Sequence, residues 1–324
     1  MALRTWSDNT GNWSDPNQWG GVLPGTADTA SFGTGPYTVT FATTATVMAV
    51  TESSSTGTFD LSSGELDLTG NGGSTNSSWG GAIVQSAGTL VQQSATFNLN
   101  GNLTQTGGDI SIGLGAHLLE SNPASSANFG GSLSGMGELD VGGTVTLGGL
   151  ISIGAIAMGS TGVVQLGSNE AYAGAYIPNA GSLLLDGNQI IFSGHDNFVT
   201  TRIVGPGTVA VDGSADVQGA SLVGTGATLF DAGTMTADGN FALGISQTDR
   251  DSLVIDHGAV FELLTDNGIS SNRSGPSGSI LNDGLLEKLA GLNASGVSSN
   301  VQAPLTNNGT LRVAVGTMRR RSGC

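Results

Sequence analysis

Residues 91–113 read VQQSATFNLNGNLTQTGGDISIG, and short runs of alternating apolar and polar residues follow one another in this stretch. Phe97 and Leu99 are separated by one polar residue, and Ile110 and Ile112 repeat the pattern after a turn rich in glycine. Successive side chains of a β-strand point to opposite faces, so this spacing predicts short strands with one apolar face. The Gly and Asn residues between the runs supply the backbone conformations that tight corners need.

Glycines that precede such a strand pattern recur along the chain at a nearly constant interval. Steps of 24 to 26 residues separate all of them except Gly162 and Gly181, which are 19 apart. The series is Gly64, Gly88, Gly113, Gly137, Gly162, Gly181, Gly207, Gly233, Gly258, Gly284 and Gly309. Three strands of about five residues, with their turns, make a coil of about 25 residues. The period therefore predicts an all-β, right-handed parallel β-helix (β-solenoid) with about 25 residues per coil.

Two other all-β folds compete with the β-solenoid, namely an antiparallel sandwich and a propeller. A propeller repeats every 40 to 50 residues or so, which the glycine interval does not support. One segment, GLLEKLAGLN at residues 284–293, has leucines at helical spacing. It lies in phase with the repeat, so we predict a strand there in preference to a short helix.

The composition excludes several classes of function. Charged residues make up 10% of the 324 residues, against about 25% in ordinary globular proteins, and the formal net charge is −16. Such an acidic chain repels phosphate backbones, so we expect no nucleic-acid partner. We find no apolar run long enough for a transmembrane segment, and Cys324 as the single cysteine precludes an intrachain disulfide. The Ser-, Thr- and Asn-rich remainder fits strands whose outward side chains form hydrogen-bonded ladders.

The first residues hold most of the tryptophan of the chain. Three of the four tryptophans, Trp6, Trp13 and Trp19, lie in TWSDNTGNWSDPNQWGG, residues 5–21. They suit either a sugar-stacking platform or a cap that covers the apolar end of a solenoid. Their position ahead of the repeats favours the cap. We therefore predict an N-terminal cap segment at 1–50, β-solenoid repeats at 51–318 and an unstructured basic tail at 319–324.

The opening pattern W-x6-W-x5-W-G-G-x2-P-G-x2-D-x-A-x-F resembles the entry segment of exported bacterial β-solenoid surface proteins, the autotransporter passengers and filamentous-haemagglutinin-like adhesins. Its residues are Trp6, Trp13, Trp19, Gly20, Gly21, Pro24, Gly25, Asp28, Ala30 and Phe32. Near the other end, coils of the form N-x-G-x-L and N-N-G-T-L are matched by Asn282, Gly284, Asn308, Gly309 and Leu311. Family members normally continue for many more coils, so the resemblance is to a passenger fragment or an unanchored relative.

The resemblance implies a non-enzymatic adhesin or passenger-like stalk that is secreted or held at the cell surface. Its partners would be glycans or proteins of a host or bacterial surface. A phage or spore structural fibre has the same architecture and stays open as an alternative. Open terminal strands invite edge-to-edge pairing, so we also expect self-association through an uncapped C-terminal end.

A β-helix carbohydrate-active enzyme, a polysaccharide lyase or hydrolase, is the second alternative. That chemistry needs paired carboxylates, or a carboxylate-bound cation with a basic residue. The richest cluster is His195, Asp196, Arg202, Asp212 and Asp216, with Asp231 and Asp238 about one coil later. Asp at turns commonly bonds its own backbone, and the nine Lys and Arg residues are too few for an anionic polysaccharide cleft.

We accordingly predict that the chain is not an enzyme, and we assign no catalytic, cofactor-binding or metal-binding residue. No cofactor is expected. The glycine-rich segments do not follow the G-G-x-G-x-D repeat of calcium-binding β-rolls, although weak Ca²⁺ binding by acidic turns stays open.

Overall fold

The computed structural model describes residues 1–52, 54–224, 226–244, 248–271, 278–291 and 298–320, and it is an all-β parallel β-solenoid. About 3% of the chain is helical, and the described helices are 3-10 helices, Pro16–Trp19 and Gly70–Gly73. The chain divides into two compact units: unit 1 is Met1–Ala157 with Thr161–Val163, and unit 2 is Met158–Ser160 with Val164–Cys324. Across the described ranges, no helix has the length and apolar character needed to cross a membrane. The predicted all-β solenoid class is confirmed.

The strands are short, and we number them in chain order. The first nineteen are β1 Leu3–Thr5, β2 Gly11–Asn12, β3 Thr29–Phe32, β4 Thr38–Val47, β5 Ala49–Glu52, β6 Thr58–Leu68, β7 Ser77–Trp79, β8 Ala82–Gln85, β9 Thr89–Gln92, β10 Thr96–Leu99, β11 Leu103–Gln105, β12 Asp109–Ile112, β13 His117–Glu120, β14 Ser126–Phe129, β15 Ser132–Gly135, β16 Glu138–Val141, β17 Thr144–Leu147, β18 Leu150–Ser152 and β19 Ala155–Met158. The others are β20 Val163–Leu166, β21 Glu170–Tyr172, β22 Ala175–Pro178, β23 Ser182–Leu184, β24 Gln189–Phe192, β25 His195–Val199, β26 Arg202–Val204, β27 Gly207–Val211, β28 Ser214–Gln218, β29 Ser221–Val223, β30 Ala227–Asp231, β31 Thr234–Ala237, β32 Phe241–Leu243, β33 Asp251–Ile255, β34 Val260–Leu263, β35 Ile269–Ser271, β36 Gly278–Asn282, β37 Leu285–Lys288, β38 Ser299–Val301, β39 Leu305–Asn307, β40 Thr310–Val313 and β41 Met318–Arg320.

Strands of successive turns pair side by side and in parallel, so that each unit has three ladders. In unit 1 these are β1-β3-β5-β7-β10-β13-β16-β19, then β2-β4-β6-β8-β11-β14-β17, and β6-β9-β12-β15-β18. In unit 2 they are β20-β23-β26-β29-β32-β35-β38-β41, β21-β24-β27-β30-β33-β36-β39 and β25-β28-β31-β34-β37-β40. About 14 turns are present in the two units taken together.

The alternation seen in the sequence sorts side chains into an interior and an exterior. Phe97, Leu118 and Leu139 lie in register on three successive turns of unit 1, and each is at most 2% exposed. Leu229 and Leu253 stack in the same way inside unit 2. Fully burying one such side chain stabilises the fold by about 1.5–3 kcal/mol. Because every turn adds equivalent side chains to the same columns, the core is continuous within each unit.

The length of a turn varies more than the regular glycine interval predicts. Turns of the predicted length occur in unit 2, where Thr234 pairs with Val260 and Val260 pairs in turn with Leu285. Much shorter turns occur in unit 1, where Ser126 pairs with Thr144. The turns are roughly 20 residues long on average. The predicted value therefore describes some turns but not the short ones, and the last turn, in which Ser299 pairs with Met318, is also short.

One column of glycines shows how the regular glycine interval differs from the true turn length. Gly64, Gly88 and Gly108 occupy the same corner on successive turns, each with positive φ. A Cβ on Gly88 would lie 2.7 Å from the Gly64 carbonyl oxygen, so the corner excludes a side chain. The turn after Gly88 thus ends at Gly108 and not at Gly113. The regular glycine series passes from one ladder to another at this point.

The ends of the predicted segments can be compared directly with the ladders. Strand β1 pairs with β3 and β3 with β5, so the ladder already runs through residues 1–50. The segment at 285–288 is a strand, as predicted, whereas Leu292 lies outside the described residues. Met318–Arg320 pairs with β38, while Arg321 to Cys324 lie outside the described residues.

Candidate functional site

The N-terminal tryptophans lie in the interior of the first turns. Trp6, Trp13 and Trp19 are 1%, 1% and 3% exposed, and ring centroids of Trp19 lie 5.0 Å from Trp6 and 4.9 Å from Trp13. The fourth tryptophan, Trp79, joins the same cluster through Phe32 at 5.1 Å. Edge-to-face contacts of this kind contribute beyond the buried area. With their faces covered by each other, these rings cannot act as an open platform for sugar stacking.

Local sequence explains how Trp19 reaches the interior. Asp15 caps the 3-10 helix by accepting the Asn17 N–H at 3.0 Å, and Pro16 supplies the fixed φ of its first position. Gly20 ends the helix in the left-handed conformation, at φ 66°. The Trp19 indole Nε1 donates to the Trp13 carbonyl at 2.8 Å, so the polar atom of the ring is satisfied where it is buried. The W-x5-W-G-G spacing is thus a folding signal.

The residues of the predicted enzyme cluster separate into two groups. His195 on β25 and Asp216 on β28 lie together on the outward face, with His195 Nε2 3.5 Å from Asp216 Oδ2. Ser214 Oγ lies 2.7 Å from His195 Nδ1, and Thr236 donates to Asp216. The side chains of His195 and Asp216 are 68% and 49% exposed. A serine, a histidine and a carboxylate therefore do lie close together on one outward face.

The other members of that cluster lie elsewhere. Asp196 points into the core and accepts the Tyr176 N–H at 3.1 Å. Asp231 is also inward, whereas Asp212 and Asp238 are exposed at turns and Arg202 is on a different ladder. The structure does not assemble a paired-carboxylate site from these residues.

Six of the acidic side chains that the fold buries lie at or next to strand ends, which strand alternation does not predict. They are Glu52, Glu120, Glu170, Asp196, Asp231 and Asp251, each at most 7% exposed. Burial raises the pKa of all of them, to about 7 for Asp231 and about 6 for Asp196 and Asp251. In five of them the carboxylate accepts a backbone N–H, and for Glu52 these are the N–H groups of Gly80 and Gly81 at 2.7 and 2.9 Å. Their role in the structure is to hold corners together.

A polar groove lies on unit 2, along the ladder that contains β32, β35 and β38. Amide, hydroxyl and carboxylate side chains line it: Asn240, Asp266, Asn267, Ser270, Asn300 and Gln302. Gly268 stands in register between Asn240 and Asn300, and a Cβ at Gly268 would lie 2.5 Å from the Asn300 nitrogen. Glycine at this position therefore lets the Asn300 backbone approach closely in the floor of the groove.

The groove is close to electrically neutral because the buried ammonium of Lys288 contacts the carboxylate of Asp266. Lys288, the only lysine of the chain, is fully buried and places Nζ 2.9 Å from Asp266 Oδ1. The same ammonium donates to the Thr265 carbonyl at 3.0 Å and to Ser299 Oγ at 2.8 Å. A cation in the groove would meet the field of this ammonium, whereas uncharged hydroxyl groups would find donors and acceptors.

A cluster that sequence reasoning did not select lies on unit 1. His117 on β13 and Glu138 on β16 are paired in register, and His117 Nδ1 lies 2.9 Å from Asp140 Oδ2. One ligand atom of each of the three residues lies within 4.8 Å of the other two. Burial, together with the Asp140 carboxylate, raises the pKa of Glu138. The residues stand on successive turns that are shorter than the predicted interval, so only the true turn length of this region would have brought them together.

Comparison of the chain with family models, with curated proteins and with solved structures finds no match.

Proposed function

We propose that this chain is a non-enzymatic segment of an exported β-solenoid surface protein, which serves as a stalk and as an adhesive surface. Short polar side chains stack in rows on the outside of the ladders, and this stacking is the main support for the proposal. Thr208, Thr228, Ser252 and Ser279 follow one another in register, with 3.0 Å between the hydroxyl oxygens of Thr228 and Ser252. Such a row presents a hydroxyl about every 4.8 Å, a regular surface suited to many weak contacts.

The polar groove supplies a local site on another ladder of unit 2. Its amides and hydroxyls can both donate to and accept from sugar hydroxyls, and the Lys288 ammonium compensates its one carboxylate. These features favour an uncharged glycan as the adhesive ligand. The resemblance of the Trp-rich entry segment to exported solenoids supports the same setting.

The enzyme alternative is best represented by Ser214, His195 and Asp216. Acyl transfer needs hydrogen-bond donors directed at the developing oxyanion in a site that excludes water. Glycosyl transfer needs a second carboxylate. Here the three groups lie on an open sheet face, and the Ser214 N–H is already donated to the Gly194 carbonyl at 3.0 Å. We therefore assign these residues to the outward ladder and not to catalysis.

Glycan binding and turnover test the proposal together. The full chain is applied to arrays of uncharged and anionic glycans, alongside an Asn240→Ala/Asn300→Ala variant and an Asn128→Ala control at an exposed position of β14 in unit 1. We expect binding to uncharged glycans that the groove variant loses and the control keeps. Release of reducing sugar that Ser214→Ala abolishes would instead establish the enzyme alternative. Equal binding by all variants would remove the groove from the proposal.

The surface location needs its own measurement. Antibodies raised against the purified chain should label intact cells of the organism that carries the gene, and brief protease treatment of those cells should remove the signal. Labelling confined to permeabilised cells, to phage particles or to spores would contradict export to the cell surface.

A further inference from the structure

We propose that His117, Glu138 and Asp140 form a binding site for a divalent transition metal ion such as Zn²⁺ or Ni²⁺. An imidazole nitrogen and two carboxylates are a ligand set that these ions accept, with metal–ligand distances of about 2.0–2.2 Å. The three ligand atoms already lie within 4.8 Å of one another. Ligands around one such ion are about 3–3.5 Å apart, so small side-chain rotations complete the site.

The sheet provides the preorganisation that a surface cluster normally lacks. His117 and Glu138 are directly paired residues of two parallel strands, and Asp140 lies two residues after Glu138 on the same face. All three side chains are partly buried, and the backbone of each strand is fixed by its neighbours on both sides. Only side-chain rotamers need to be ordered when an ion binds, which keeps the entropic cost low.

The surroundings leave both room and an electrostatic reason for a cation. On one side the ladder presents Thr96 and Asn98 of β10, and on the other Ala155 stands opposite Glu138, since its N–H donates to the Gly137 carbonyl. None of these three neighbours titrates or carries charge. Among the described residues of this face, the two carboxylates meet only the one imidazole, so an ion relieves their mutual repulsion. The small Ala155 side chain leaves space for water ligands.

The contact between His117 and Asp140 directs two of the three ligand atoms to the same point of the face. His117 Nδ1 lies 2.9 Å from Asp140 Oδ2. A histidine ligand also separates this site from a calcium or magnesium site, because those ions prefer oxygen ligands alone.

The chain contains a matched control. His195 and Asp216 form an equivalent His–carboxylate pair on unit 2, but the third partner there is the hydroxyl of Ser214 and not a carboxylate. With one carboxylate fewer and greater exposure, that pair should bind the same ions much more weakly. The proposal thus predicts one site per chain from two similar-looking histidines.

Calorimetric titration with ZnCl₂ and NiCl₂ tests the proposal on the full chain, stripped with EDTA. A Cys324→Ser background is used because a thiol binds the same ions. We expect one saturable site, an affinity lowered about tenfold or more by His117→Ala and by Glu138→Gln, and an unchanged affinity in His195→Ala. Circular dichroism of each variant checks that the fold is retained, and Glu138→Gln preserves the side-chain shape.

The d–d absorption of bound Co²⁺ gives a second readout that reports directly on an imidazole–carboxylate environment. Its appearance in the parent chain and loss in His117→Ala supports the site. Absence of saturable Zn²⁺ and Ni²⁺ binding up to millimolar concentrations would overturn the proposal. So would binding that survives His117→Ala, or that His195→Ala weakens to the same degree. Tighter binding of Mg²⁺ than of Zn²⁺ would contradict the ligand assignment.

Discussion

The most informative single substitution is Asp231→Asn, because Asp231 carries the largest penalty among the buried acids whose pKa values are given above. The side chain is fully buried, and its Oδ1 accepts the Gly233 N–H at 3.1 Å. The second oxygen is buried without a hydrogen-bond partner in the described structure. An asparagine keeps the shape and the bond to Gly233 and removes the charge. The same corner two turns later already holds Asn282, which shows that the fold accepts an amide there.

The expected magnitude follows from the pKa of Asp231, which burial raises from 3.8 to about 7. A pKa change of one corresponds to about 1.4 kcal/mol, so ionised Asp231 costs the folded state about 4 kcal/mol well above pH 7. The pKa of Asp231 is higher in the folded than in the unfolded chain. The stability that protonated Asp231 gives the folded parent is therefore fully present below about pH 3.8, and it is lost as the pH rises through about 7. Burying the asparagine amide without a partner costs about 1–3 kcal/mol at every pH.

The stability of Asp231→Asn relative to the parent should therefore increase as the pH rises. At pH 4.5 we expect Asp231→Asn to be equal to the parent or less stable. At pH 8.5 it should be more stable by about 1–3 kcal/mol. Urea unfolding followed by far-UV circular dichroism measures the difference. All four tryptophans lie in unit 1, so their fluorescence follows that unit separately while Asp231 lies in unit 2.

Asp212→Asn is the control, because it removes the same charge from an exposed position one turn earlier. It should change stability by no more than about 0.5 kcal/mol at either pH. A constant difference between Asp231→Asn and the parent from pH 4.5 to 8.5 would refute the reasoning, as would an equal pH response in the Asp212 variant.

Three further predictions concern the buried contacts. Lys288→Ala removes the ammonium that faces Asp266 and should lower the free energy of unfolding by about 3–5 kcal/mol, measured by urea unfolding; a loss below about 1 kcal/mol would contradict its bracing role. Trp19→Ala opens a cavity in the aromatic cluster and should cost about 3–5 kcal/mol, while acrylamide should quench the parent's fluorescence only weakly; strong quenching would mean open rings. Gln85 Nε2 donates to the carbonyls of Gly88 and Asp109 at 3.2 and 2.9 Å, and Gln85→Glu replaces this donor with a carboxylate. An ionised carboxylate there repels both carbonyls, so urea unfolding should show a larger loss of stability at pH 8 than at pH 4.

The fold class could be predicted because the signal for a solenoid is repeated in every turn. Alternating apolar positions such as Phe97 and Leu99 describe a strand locally, and their recurrence implies stacking. The strand at Leu285–Lys288 could be predicted over a helix for the same reason, since its phase outweighed its leucine spacing. The burial of the N-terminal tryptophans also followed from their position and size.

Turn length and register could not be predicted to the same degree. Corners need glycine, but glycine also occurs at outward turns, so a regular series can be chosen that crosses from one ladder to another. The step from Gly88 to Gly113 is such a crossing, whereas the structure stacks Gly88 on Gly108. An error of a few residues in one turn misplaces every outward neighbour after it. For that reason the His117 and Asp140 contact was not visible in the sequence.

The inward polar residues obey a rule that combines strand alternation with corner chemistry. The first or the last inward position of a strand faces the backbone of the corner and not only its apolar neighbours. Where the corner offers N–H groups, the residue is an acceptor, as Glu52 is for Gly80. Where it offers carbonyls, the residue is a donor, as Gln105 is for Ser132 at 2.9 Å and Lys288 is for Thr265 at 3.0 Å.

The position of an acidic residue on its strand decides whether it serves the fold or can bind a ligand. Unpaired backbone groups at buried corners cost free energy at every turn, and a polar side chain placed there removes the cost locally. Acids used in this way lose their ability to bind ligands, since their oxygens are occupied or enclosed and their pKa values are raised. Acidic residues on outward positions, as at Glu138 and Asp140, keep their oxygens directed to the surface. Burial and register together, and not the count of acidic residues, therefore decide which of them can act on a ligand.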